Sequence, residues 1–150
     1  MRSFTSLAEF AEAKGEHLGY SHWRDITQPQ VNLFADATDD HQWIHVDPER
    51  AADSPFGGTI AHGYLTLALL PVFMTEIFSI GGLTMGINFG LNKVRFSSPV
   101  KVGARVRGGA ELTDLKNSPA GKLATVKMTV EVEGHKRPAC VAETLSLYVA

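Results

Sequence analysis

Cysteine is almost absent: Cys140 is the only one in 150 residues, so no disulfide can form within the chain, which fits a reducing compartment. Basic runs are absent as well. Lys and Arg total 14 against 16 Asp and Glu, a balance that excludes the cationic footprint of a nucleic-acid binder. Charged residues make up only 20% of the chain, somewhat below the usual share for a soluble domain, as expected if part of the surface is hidden in an oligomer. No apolar signal core opens the sequence, because Glu9, Glu12, Lys14 and Glu16 interrupt it. A cytoplasmic protein is the expectation. The one apolar stretch as long as a membrane span, 61–80, contains Thr66, Pro71, Thr75 and Glu76 and lacks flanking Lys or Arg. It reads as a helix buried in a soluble fold, with no membrane partner.

Several chemistries lack their signatures too. Gly81-Gly82 and Gly108-Gly109 do not have the strand–turn–helix spacing of a phosphate or dinucleotide loop. Ser54, Ser97 and Ser98 stand outside any G-x-S-x-G context, and Cys140 lies among apolar neighbours, where an inert thiol is the default.

What is present is one domain, 1–150, long enough to bury a sizeable core. Ser6 to Lys14 reads as a helix stopped by Gly15, and a short strand is expected around Trp23 to Ile26. Thr27 opens a second helix, with Gln30 completing a capping box, Pro29 in the first turn, and Val31, Phe34, Ala35 and Thr38 on its inner side. Asp47 caps a short helix that begins at Pro48. After the loop 54–58 comes the long apolar helix, about 61–80, closed by Gly81-Gly82. The period then changes to two. Extended segments are expected within 83–97, over 101–112, over 122–133 and over 139–149, with turns at 117–121 and 134–136. Val126, Met128, Val130 and Val132 alternate with Thr125, Lys127, Thr129 and Glu131 most clearly. The fold class is α+β: helices first, then an antiparallel meander that covers the buried helix.

The densest chemistry lies in 40–47, where Asp40, His41, His45 and Asp47 share eight residues. Asp40 and His45 are five apart, too far to stack on one regular helical face, but a loop can turn both toward one point. An acid and an imidazole together can hold a water and move its protons near neutral pH. The same residues could equally brace a loop by hydrogen bonding. Gly63 stands at the start of the long helix, where N–H groups point outward and no Cβ blocks a ligand; it is either an oxyanion donor or relief from crowding. A metal site built from His41, His45 and Asp47 lacks a defined third ligand and a zincin register, so no metal is expected.

The segments 37–47 and 56–63, ending Ala61-His62-Gly63, together with 94–103, resemble the signature of the MaoC-like (R)-specific enoyl-CoA hydratases. Gln42 and Trp43 replace that family's asparagine and proline, which bears on the pocket wall. The resemblance implies a single hot-dog domain, an antiparallel sheet wrapped around the helix 61–80, paired into a homodimer. It implies reversible hydration of a trans-2-enoyl-CoA to a (3R)-3-hydroxyacyl-CoA, with Asp40 and His45 catalytic, the Gly63 N–H on the thioester carbonyl, and no cofactor. Asn92, on the following strand, is a further candidate substrate contact. The alternatives are a dehydratase acting on acyl-carrier-protein thioesters, a hot-dog thioesterase, and a non-catalytic acyl-thioester-binding module.

Overall fold

The computed structural model describes residues 1–150. The chain opens with strand β1 (Arg2–Phe4) and helix α1 (Leu7–Glu12), whose cap Ser6 accepts the Glu9 N–H. Strands β2 (His17–Tyr20) and β3 (Arg24–Asp25) lead to helix α2 (Gln28–Thr38). Thr27 caps α2 as expected, accepting the Gln30 N–H at 3.3 Å. The reciprocal half of the capping box does not form, because the Gln30 side-chain oxygen is buried without a partner. Val31 and Ala35 face inward, whereas Thr38 turns to solvent and donates to the Phe34 carbonyl. Two short helices follow, α3 (Trp43–Val46) and α4 (Pro48–Ala52), the second capped by Asp47, which accepts the Arg50 N–H at 3.1 Å.

The helix expected over 61–80 is broken. It forms as α5 (Gly63–Ala68) and α6 (Leu70–Ile77), with the interruption at Leu69, just before Pro71. Proline has no N–H to continue the ladder, and its ring crowds the preceding turn. Residues 78–80 leave the helix as strand β4 (Phe78–Ile80), paired in parallel with β1, so Gly81-Gly82 ends a strand and not a helix. No helix is long and apolar enough to cross a membrane.

The main sheet contains β5 (Met85–Arg95), β6 (Arg105–Ser118), β7 (Gly121–Val132) and β8 (Cys140–Val149). Its order is β2-β6-β7-β8-β5, antiparallel throughout, with β3 also on β6. The simple meander is therefore corrected: β5 pairs with β8, and residues 96–104 carry the chain back across to β6. The turn between β6 and β7 is shorter than the expected 117–121, because Ser118 already pairs with Gly121. Along β7 the alternation holds; Val126, Met128 and Val130 are fully buried.

The sheet wraps the broken helix in the hot-dog arrangement. Phe73 and Ile77 of α6 lie in one core with Leu112, Val126 and Met128. The packing is close enough to require glycine, since a Cβ at Gly108 would lie 2.7 Å from the Phe73 Cβ. β5 is the open edge, and Ile87, Phe89 and Leu91 on it are substantially exposed.

Candidate active site

The site forms where 40–62 lies against the start of α5. Asp39 ends α2 in the left-handed region, φ 58°, and this turns the chain so that Asp40 faces back toward the helix. One helical turn, α3, then carries His45 inward. Such a turn is marginal alone, and it is held from outside. Gln28 donates to the His45 carbonyl at 2.7 Å, and its own carbonyl accepts from the Thr59 hydroxyl at 2.6 Å.

His45 is buried, and its Nδ1 lies 2.7 Å from the Ile60 carbonyl oxygen. A carbonyl only accepts, so Nδ1 carries the proton and Nε2 keeps its lone pair. Burial pushes the imidazole below its ordinary value, partly offset by the Ile60 hydrogen bond and the nearby Asp40. His45 is thus a neutral base with a fixed tautomer. Asp40 is half exposed, its Oδ1 in a long 3.4 Å contact with the Gln42 N–H, so the carboxylate remains available.

The structure adds a residue that the sequence reading passed over. His62, the residue preceding Gly63, is buried, and its ring stacks on His45 with centroids 3.8 Å apart and planes 24° apart. Its Nε2 is 2.9 Å from the Asp40 backbone oxygen and 4.0 Å from Oδ2. Its Nδ1 is buried without a protein partner. The available signal was the Ala61-His62-Gly63 motif, but local pattern gave His62 no partner 22 residues upstream.

Polar atoms of Asp40, His45 and His62 lie within 4.8 Å of one another. They are a poor ready-made ligand set, because the His62 nitrogen near Asp40 is committed to a carbonyl. The set weighed from sequence does not assemble. His41 pairs outward with Asp36 at 2.8 Å, and Asp47 caps α4.

A cavity of about 270 Å³ opens beside His45, bounded by Ile60, Gly63, Thr66, Phe96 and Ser98. Gly63 opens α5, where the first N–H groups have no helical acceptor. The Phe96 ring lies over it, and a Cβ at 63 would sit 3.1 Å from that ring. Asn92 is not brought to the site. It is exposed at an irregularity of β5 between Leu91 and Lys93 and lines neither this cavity nor the next. The next, about 250 Å³ and mostly apolar, lies between the broken helix and β5, among Leu67, Pro71, Met74, Phe89 and Leu145.

An aspartate and a tautomer-fixed histidine thus lie beside the first turn of a helix that an antiparallel sheet wraps. The comparisons give the family. The MaoC like domain model matches residues 9–136, and the chain belongs to the MaoC-like hydratase/dehydratase family, an enzyme family of hydro-lyases. It is 58% identical, over all of both chains, to 3-hydroxyacyl-thioester dehydratase Z of Mycobacterium tuberculosis. It is 50% identical to nodulation protein N of Rhizobium leguminosarum bv. viciae, over 95% of this chain and 90% of that one. The unliganded R-hydratase of Pseudomonas aeruginosa has the same fold, with a TM-score of 0.73 at 23% identity over 91% of this chain and 81% of that one.

Proposed function

We propose that the chain catalyses the reversible hydration of a trans-2-enoyl-CoA to the (3R)-3-hydroxyacyl-CoA. The observation that carries this reading is the convergence of the Asp40 carboxylate on a buried His45 whose free Nε2 is fixed by the Ile60 hydrogen bond. A water held between these groups loses a proton as its oxygen adds to C3, and the pair returns a proton to C2, so one water is added in all. The Gly63 N–H meets the charge that develops on the thioester oxygen. The name of the mycobacterial relative supports an acyl thioester as substrate.

Charge supports CoA as the carrier. A polar cleft of about 500 Å³ adjoins the catalytic cavity at Pro99 and leads to the turn 135–137. The acids there are already matched: Asp25 and Glu133 to Arg105, and Glu131 to Arg107. Lys101, Lys136 and Arg137 make no ion pair and are free for the diphosphate and 3′-phosphate of CoA. A dehydratase for acyl-carrier-protein thioesters shares the chemistry and differs only in this contact. Crotonyl-CoA is the test substrate: loss of enoyl absorbance without free thiol is hydration, whereas release of thiol is thioester cleavage and contradicts the proposal. Crotonyl-pantetheine turned over as well as crotonyl-CoA would contradict the carrier assignment alone.

The open edge β5, with Ile87, Phe89 and Leu91 exposed, supports a homodimer joined through this strand. Sedimentation at micromolar concentration should give a dimer; an active monomer contradicts it.

A further inference from the structure

We propose that His62 is a positioning residue that holds Asp40 and His45 in register, a role that rests on the hydratase reading above. The His62 ring joins three separate segments. Its Nε2–H donates to the main-chain carbonyl of Asp40, just beyond the left-handed residue Asp39. Its face stacks on His45 of α3, and it also contacts Phe34 of α2, with ring centroids 4.9 Å apart. Its backbone carbonyl accepts the Leu65 and Thr66 N–H groups at the head of α5, beside Gly63. The acid, the base and the proposed oxyanion donor therefore share one support.

The chemistry of the two rings makes the arrangement specific. Each His donates to a backbone carbonyl, but through opposite nitrogens: His45 through Nδ1 to Ile60 and His62 through Nε2 to Asp40. The His62 Nδ1 is buried without a protein partner, so the ring's one side-chain hydrogen bond is the one to Asp40, made while its face lies on the proposed base. An apolar ring at 62 would fill the space and keep the stacking but would leave the Asp40 carbonyl without its donor. A glutamine would restore a donor near the Nε2 position without the ring. Phe and Gln variants separate the two functions.

The test has two arms. In the first, His62→Phe and His62→Gln are assayed on crotonyl-CoA. Misplacement of a reacting group by about 1 Å costs about 10²-fold, so His62→Phe should lower kcat by about 10–100-fold with KM within about twofold, and His62→Gln should recover most of the loss. Full kcat in the Phe variant, a loss carried by KM, or a Gln variant no better than Phe would overturn the proposal. In the second arm, nitrogen NMR of histidine-labelled wild-type protein reads the tautomers directly between about pH 6.5 and 8. His45 should be the Nδ1–H form and His62 the Nε2–H form. A His62 in the Nδ1–H form overturns the proposal even if the Phe variant fails to fold. If the wild type hydrates no enoyl thioester, the hydratase reading falls, and the tautomers still decide whether His62 holds the Asp40 segment.

Discussion

The sheet and the segment laid across it are built to opposite rules. In β7, Ala124, Val126, Met128 and Val130 are fully buried and belong to the apolar core. In 40–62 two stacked histidines are buried, His45 on the four-residue helix α3 and His62 just ahead of α5, and one of their nitrogens has no protein partner. The first region has the consistency that makes a fold stable; the second breaks it locally. Groups held against their preference persist only when surrounding structure fixes them, and here they gather where a water and a thioester would react. Stability and chemistry therefore reside in different parts of this small domain, and substitutions should separate them.

The largest effects belong to the pair. Asp40→Asn keeps shape and removes the proton acceptor, and His45→Ala removes the imidazole; each should lower kcat by about 10²–10⁴-fold. If both act on one water, as proposed, the double variant should lose much less than the product of the single losses. Thermal unfolding of Asp40→Asn should be close to wild type, since Asp40 is half exposed. The converse change is Met128→Ala in the core, which should cost about 2–5 kcal/mol in denaturant unfolding while kcat per folded molecule is unchanged. A core variant that lost chemistry at full stability would break the division.

Titration of His45 gives a smaller effect that joins the two regions. Its folded value is lowered by burial, so the unfolded chain binds a proton that the folded chain refuses. Stability should be unaffected by this group above its ordinary value of about 6.5, should fall as pH drops below it, and should level off below the folded value. Urea midpoints from about pH 8 to 5 read this slope, and His45→Gln should flatten it. His41, raised by its hydrogen bond to Asp36, contributes with the opposite sign, so the difference between wild type and His45→Gln is the readout, and a difference of the opposite sign would contradict the buried, neutral imidazole.

Legibility from sequence followed the same boundary. Residues 126–132 declared their strand because period two is a local signal, and Thr27 and Asp47 were readable as caps for the same reason. Asp40 and His45 were legible as a pair by type and spacing. The position of β5 beside β8 was not, because pairing order depends on where 96–104 crosses and no residue there encodes it. The break at Leu69 was legible in principle from Pro71, but the apolar run on both sides suggested one helix. The strand 78–80 is visible only through β1, more than 70 residues away. His62 was missed because its partners come from α2, α3 and the Asp40 carbonyl, none of them within helical reach.

The smallest expected effect is at Asp47, which shares the motif but only caps α4. Asp47→Asn keeps a good cap, so stability should change by less than about 1 kcal/mol and turnover should not change. A large loss of turnover would move Asp47 into the chemistry and blur the contrast between cap and catalyst.

The proposed addition of water by Asp40 and His45 to one face of an enoyl thioester is tested by chiral analysis of the product that wild type and Asp40→Asn form from crotonyl-CoA. Wild type should form (3R)-3-hydroxybutyryl-CoA, and folded Asp40→Asn the same product about 10²–10⁴-fold more slowly. An (S) product, or near-normal turnover by the Asp40→Asn protein, would contradict it.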